Sequence, residues 1–284
     1  MPSFEENGAR LLSLKGQKIM RILAVGDIVA SDGREFIYNN LGRIKSKFNV
    51  DYCVANGENA ANTNGITVDI ANALLRAGVD VLTMGNHTFA NKEYSDVLTD
   101  NPRVIRPANY PSETEGSGYF IDDLGSVRIA VINAIGRVNM DPMDCPFRAV
   151  EKCLAEIGDK ADIKIIDFHA ETSSEKLAFG NYFDGKADII FGTHTHIQTA
   201  DEHILPGGTA YISDLGMTGV RDSILGVKKE IIIEMYYTRK KFRFEKAEGE
   251  VWFNGAVFDF DEKSKTVTGI ERLNFSARQL SQIK

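Results

Sequence analysis

Five short segments carry nearly all the residues that could do chemistry in this chain: Gly26-Asp27, Asn56-Gly57-Glu58-Asn59, Gly85-Asn86-His87, a lone His169, and Gly192-Thr193-His194-Thr195-His196. Carboxylate and amide oxygens with imidazole nitrogens, and no thiolate among them, suit borderline divalent metals such as Fe, Mn and Zn. A single ion takes only about four to six such ligands. Seven candidates, Asp27, Glu58, Asn59, Asn86, His169, His194 and His196, therefore imply two ions. Two neighbouring ions need a shared carboxylate, and Glu58 is the natural bridge. His203, in Asp201-Glu202-His203-Ile204, lies off this pattern and reads as a structural histidine.

The elements that must position these residues follow from the apolar runs between them. Asp27 comes just after the run 22–25, Glu58 and Asn59 after 52–55, Asn86 and His87 after 81–84, His169 after 163–168, and His194 with His196 after 189–191. Each candidate thus sits past the C-terminal end of an expected strand, the edge at which loops of an open α/β sheet converge on one crevice. The glycines in the same segments let the chain leave the strand in conformations that other residues resist.

Between those strands the pattern predicts helices over 33–47, 67–77 and 147–156, and another opened by the capping-box pattern Thr172-Ser173-Ser174-Glu175 and ending near Gly185. Strands and helices in alternation indicate an α/β layered sheet. Residues 118–122 and 127–133 read as an antiparallel hairpin after the Pro-rich loop 106–111. The segments 210–213, 229–237, 251–260 and 266–273 are rich in β-branched and aromatic residues, some with period-two alternation, and read as strand-like. Residues 1–19 are polar and aperiodic up to the first strand, which suggests an extension or a remnant of expression ahead of a single domain over 20–284.

Each site residue also has a plainer explanation. A lone histidine at a strand end is more often a hydrogen-bonded structural residue than a ligand. Asp27 could cap the following helix, and Asn59 and Asn86 could stabilise turns through their own backbone. Glu58 is harder to dismiss, because a carboxylate emerging from an apolar strand into a crevice is costly unless paired or metal-bound. Four of the five histidines fall on the same expected edge, which favours function for the set. Arg106, Asn109 and Tyr110 could touch substrate, but ordering of their loop is the simpler role.

Bulk composition narrows the partners. At 284 residues with 43% hydrophobic and 26% charged residues, the chain has the make-up of an ordinary globular protein. No apolar run is long enough for a membrane span and the N-terminal segment lacks a signal-type hydrophobic stretch, so a cytoplasmic location is expected. A net charge of −7 disfavours adhesion to duplex nucleic acid or anionic lipid. Three cysteines without a CxxC pair indicate neither a disulfide framework nor a thiolate zinc site.

Taken in order, the five segments resemble the motif series of calcineurin-like metallophosphoesterases, whose signature is Gly-Asn-His followed far downstream by His-x-His. Gly57-Glu58-Asn59-Ala60-Ala61, Arg106-Pro107-Ala108-Asn109-Tyr110-Pro111 and Asp167-Phe168-His169-Ala170-Glu171 are similar to the YmdB branch of that superfamily. The resemblance implies a four-layer α/β/β/α sandwich, a dinuclear centre holding Fe or Mn, a homo-oligomer, and phosphodiesterase activity on small substrates of the 2′,3′-cyclic nucleotide class. It also implies that Asp27, Glu58, Asn59 and His196 bind one metal and Glu58, Asn86, His169 and His194 the other, with His87 as general acid.

The general superfamily pattern has a His two residues after the first Asp and an Asp at the bridge; Val29 and Glu58 stand there instead. On this view the cations attract the anionic phosphate that an acidic protein would otherwise repel, and acidify the attacking water. A phosphomonoesterase such as a nucleotidase or protein phosphatase could use the same centre, and so could a signalling module that binds a phosphate compound without turnover.

Overall fold

In the computed structural model, which describes residues 18–62 and 64–283, the chain folds as two β-sheets packed face to face with helices on both outer sides. The extension expected over residues 1–19 lies outside the described residues except for its last two, and Ile19 already pairs with Asp261.

The first half alternates as the sequence predicts as far as residue 84, and the helix Tyr94–Asp100 and strand Val104–Ile105 add to that pattern. β1 (Ile19–Val25) and the two-residue β2 (Asp27–Ile28) lead into α1 (Ala30–Lys47). β3 (Tyr52–Asn56), α2 (Val68–Arg76), β4 (Val81–Thr83), α3 (Tyr94–Asp100) and β5 (Val104–Ile105) follow. α1 forms where apolar residues recur every three to four positions, and Phe36, Ile37, Leu41 and Ile44 on that stripe are buried. α2 starts where the Thr67 hydroxyl accepts from the Ile70 amide. β3 is buried at all five positions, as a central parallel strand covered on both faces must be.

The second half opens with the expected hairpin, β6 (Tyr119–Asp123) antiparallel to β7 (Arg128–Ile135). α4 (Pro146–Ile157), β8 (Ile163–His169), α5 (Ser173–Tyr182), β9 (Ile189–Thr193), β10 (His203–Ile204), β11 (Ala210–Ile212), β12 (Met217–Val220), α6 (Lys229–Thr238), β13 (Val251–Asp261), β14 (Thr266–Ser276) and α7 (Ala277–Leu280) complete the described chain.

One sheet runs β2-β12-β13-β1-β3-β4-β5 with β14 on the far side of β13, and the other runs β10-β11-β9-β8-β7-β6. Strands β1, β3, β4 and β5 are parallel in the first sheet, and β7, β8, β9 and β11 in the second. Between the sheets Ile22, Val54 and Phe258 meet Val131, Ile165 and Ile189. Helices α1, α2, α3 and α7 cover the outer face of the first sheet, α4 and α5 that of the second. This is the four-layer α/β/β/α sandwich that the resemblance implies. Fully burying each such aliphatic side chain stabilises the layers by about 1.5–3 kcal/mol.

Two local expectations fail. Residues 229–237 form helix α6 rather than a strand, with Ile232 buried and Ile233, Tyr236 and Tyr237 exposed. The segment leaves the sheet between β12 and β13, and a helix closes its backbone hydrogen bonds internally where an extended chain would leave them unpaired. The capping box at Thr172 does not form either. Thr172 is the N-cap of α5 but makes no side-chain cap bond, and the reciprocal bond is missing because buried Glu175 turns away to accept from the amides of Arg137 and Val138.

Candidate metal centre

The C-terminal ends of β1, β3 and β4 in one sheet and of β8 and β9 in the other point to a common edge, and the seven proposed ligands meet there in a closed circuit. Asp27 Oδ1 lies 3.6 Å from His196 Nε2. His196 Nε2 is 3.2 Å from Asn59 Nδ2, which is 3.1 Å from Glu58 Oε1. Glu58 Oε1 is 3.2 Å from His169 Nε2. His169 Nε2 is in turn 3.0 Å from His194 Nδ1 and 2.9 Å from Asn86 Oδ1. The His194 amide closes the circuit by donating to Asp27 Oδ2 at 3.0 Å. His87 sits beside the group: its amide donates to Glu58 Oε2 at 2.9 Å, and its Nε2 is 3.3 Å from Asn86 Nδ2.

The plainer roles considered for these residues are not the ones they play. Asp27 does not cap α1, whose N-cap is Val29 without a side-chain bond. The Asn59 and Asn86 amides face His196 and His169 across the site rather than their own turns. Asn59 presents its nitrogen inward, so oxygen ligation would require its amide to turn end for end. His203 is exposed on β10 and donates from Nδ1 to the Asp201 carbonyl, a local contact away from the centre. Arg106 spends its guanidinium on the carbonyls of Pro107, Thr114 and Glu115, and Asn109 bonds Ile135 and Asp144. Both order the loop.

The glycines act differently from expectation. Gly26, Gly57, Gly85 and Gly192 are all absent from the positive-φ residues, whereas His194 and His196 themselves take φ of 98° and 62°. The glycines are needed for close approach instead. A Cβ on Gly85 would stand 2.4 Å from both Glu58 Oε2 and His169 Nε2. The backbone strain lies on the histidines, where non-glycine residues are rarely found in this region and strain clusters at functional sites.

A supporting set that the sequence did not single out holds those histidines in place. His169 Nδ1 lies 2.9 Å from Thr193 Oγ1, which donates to Asp167 Oδ1 at 2.7 Å. Thr83 and Asn56 also donate to Asp167. The hydroxyl proton of Thr193 goes to the carboxylate, so the Thr193 oxygen must accept from His169, which fixes a ring proton on Nδ1 and turns Nε2 to the centre, where a bound cation would take the place of the Nε2 proton. Asp214 binds the Thr195 amide and hydroxyl between the two strained histidines and is itself paired to buried Lys176. Glu171 Oε2 reaches His194 Nε2 at 3.0 Å. The signal was available: Asp214 follows β11 as the ligands follow their strands, and Asp167 lies two positions before His169 on the same face of β8.

Electrostatics at the centre are severe. Asp27 and Glu58 are buried almost completely. Burial works against the charged forms, but the histidines outweigh it. The attraction of His196 and His169, with the His194 amide, holds Asp27 well below the usual carboxylate range; at 3.6 Å the His196 contribution is charge attraction rather than a hydrogen bond. Burial also opposes a charged His169, yet Glu58 and Asp27 push it up to about 9. Burial and the neighbouring His169 push His194 down to about 4. Burial pushes Asp167 up to about 6, against the attraction of His169 and the hydroxyls of Thr83 and Thr193.

The donor set fits divalent cations on three grounds. Asp27 Oδ1 is buried with no hydrogen-bond donor, an arrangement that is costly for a carboxylate oxygen unless a cation meets it. Ligand atoms of Glu58, His169 and His194 lie within 4.8 Å of one another. The donors are oxygen and imidazole nitrogen throughout, the choice of borderline metals.

The model of the YmdB-like protein family matches residues 23–273, which takes in every residue of the circuit. The chain belongs to the YmdB-like family. The YmdB-like relatives include a 2′,3′-cyclic-nucleotide 2′-phosphodiesterase of Bacillus subtilis, 45% identical over 254 residues that cover 89% of this chain and 96% of the relative. A putative phosphatase/phosphodiesterase of Mycoplasma pneumoniae is 33% identical, covering 89% and 92%. Among solved structures, a phosphatase from Mycoplasma pneumoniae superposes with a TM-score of 0.86 at 32% identity, covering 94% of this chain and 98% of that one. A hypothetical protein from Thermus thermophilus gives 0.85 at 36%, covering 90% and 99%.

Proposed function

We propose that the chain hydrolyses phosphodiesters, with 2′,3′-cyclic nucleotides as the substrate class, at a centre that binds two divalent cations. One observation carries the proposal: buried Glu58 lies between two sets of donors, Asn59, His196 and Asp27 on one side and Asn86, His169 and His194 on the other, while Asp27 Oδ1 lacks any donor. Identity of 45% to a 2′,3′-cyclic-nucleotide 2′-phosphodiesterase supports the substrate class.

Asp27, Glu58, Asn59 and His196 would hold one cation and Glu58, Asn86, His169 and His194 the other. Bound there, such cations supply the positive charge that draws phosphoryl oxygens and acidifies a water to the attacking nucleophile. Iron and manganese match the donor chemistry.

The chain's own groups do the rest. The Thr193–Asp167 relay keeps the His169 Nε2 lone pair directed inward. Asp214 and Lys176 hold the turn that carries His194 and His196. Half-buried His87, fixed through its amide to Glu58 yet outside the circuit, would donate a proton to the leaving ribose oxygen. The same reading expects a homo-oligomeric cytoplasmic enzyme.

The test is a panel of 2′,3′-cyclic AMP, bis-p-nitrophenyl phosphate and p-nitrophenyl phosphate under iron and under manganese. Turnover of the two diesters well above that of the monoester is expected. Preference for the monoester would recast the enzyme as a phosphomonoesterase, and tight binding with no turnover as a sensor.

A further inference from the structure

Next to the centre lies a cavity of about 310 Å³ whose wall begins at His196 and runs through Met217, Arg221 and Trp252 to Asn274. Its chemistry differs from that of the metal-binding circuit. The Arg221 guanidinium lies over the Trp252 ring, 3.5 Å from its centroid. No carboxylate pairs with Arg221 among the described residues, whereas nearby Arg272 is committed to Glu202 at 3.1 Å. Asn274 donates to the Asn254 side chain, and Asn254 donates to the Met217 carbonyl, so amides border the aromatic patch.

A guanidinium laid flat on an aromatic ring, with no carboxylate partner among the described residues, and side-chain amides together suit a nucleobase: a cationic face to stack on, backed by the indole, and hydrogen bonds at its edge. The volume admits one base and part of its sugar. Because His196 lines the cavity and also stands 3.2 Å from Asn59 in the circuit, a ligand could hold its base here while its phosphate reaches the cations.

We propose that this cavity is the nucleoside subsite, with the base stacked against the Arg221–Trp252 pair. The inference rests on the phosphodiesterase reading for its substrate but not for its geometry. It makes Arg221 and Trp252 determinants of specificity for nucleotide over base-free diesters.

Trp252 is the chain's single tryptophan, so the protein carries its own probe. Titrating the purified protein with 3′-AMP should quench tryptophan fluorescence saturably, while ribose 5-phosphate and inorganic phosphate should not. Quenching by all three alike, or by none, overturns the subsite. In the enzyme assay, Arg221→Ala should raise KM for 2′,3′-cyclic AMP and lower its kcat/KM relative to bis-p-nitrophenyl phosphate about tenfold, the scale of a lost base stack.

Trp252→Phe, which keeps an aromatic face and the fold, should lose less than Arg221→Ala loses. An unchanged ratio in Arg221→Ala, or a tenfold fall only in Phe244→Ala, whose residue lines a different cavity that His196 also borders, overturns the proposal. If the unaltered enzyme fails to cleave 2′,3′-cyclic AMP yet 3′-AMP quenches Trp252 selectively, the subsite stands and the substrate assignment falls.

Discussion

Glu58 and His87 are neighbours with different proposed duties, bridging ligand and proton donor, and replacing each should separate them. Glu58 belongs to both donor sets, so Glu58→Gln should lower metal content at both sites together, measurable by elemental analysis of the purified protein; full metal content in that variant would remove the bridge. His87→Ala should keep the metals and lose about a hundredfold to ten-thousandfold in kcat, the usual worth of a positioned acid. Emptied metal sites in His87→Ala would make it a ligand instead. These residues were legible in the sequence because polar types that rarely follow buried strands recurred after five of them. Asp167 and Thr193 were not singled out, since each reads alone as an ordinary strand residue, and Asp214, past the end of β11, has no second candidate ligand beside it. Their value appears only when two strands are side by side, as when Thr193 on β9 reaches Asp167 on β8.

At the scale of elements, the turn after β4 is the most tightly constrained. Its Gly85 lies so close to Glu58 and His169 that a single methyl group must displace one of them. Gly85→Ala should therefore fold, with native far-ultraviolet circular dichroism, but bind less than half the normal metal; normal metal content would show that the turn has room to shift. The parallel strands and their helices were readable because apolar runs of four to seven residues alternate with amphipathic stretches. Helix α6 was not. Three consecutive isoleucines erase the difference between a period of two and one of 3.6, and the segment pairs with no strand, so its backbone bonds close within a helix. Glu175 shows the other limit: a capping pattern is local, and the amides of Arg137 and Val138 compete for the same carboxylate.

The whole molecule puts two sheets between layers of helices so that the edge carrying the ligands is supported by three apolar cores. Those cores have a pH signature. Burial pushes the Cys53 thiol up to about 12 from its ordinary 9.0. The unfolded chain releases that proton first, so the Cys53 contribution to stability is full below pH 9 and is lost as pH rises from 9 toward 12. Cys53→Val should flatten the fall by about 1.4 kcal/mol per pH unit, read from denaturant unfolding at pH 9 to 11. Cys153, pushed up to about 11, and Tyr110, up to about 12, leave part of the slope in place. An identical slope in the variant would mean that Cys53 is as accessible folded as unfolded.

The proposed pair of cations sharing Glu58 is the feature on which the proposed chemistry depends most, and anomalous diffraction from crystals soaked in manganese tests it directly. Two peaks should flank the Glu58 carboxylate, one beside Asp27, Asn59 and His196 and the other beside Asn86, His169 and His194. A single peak, or none within reach of Glu58, would contradict the shared centre.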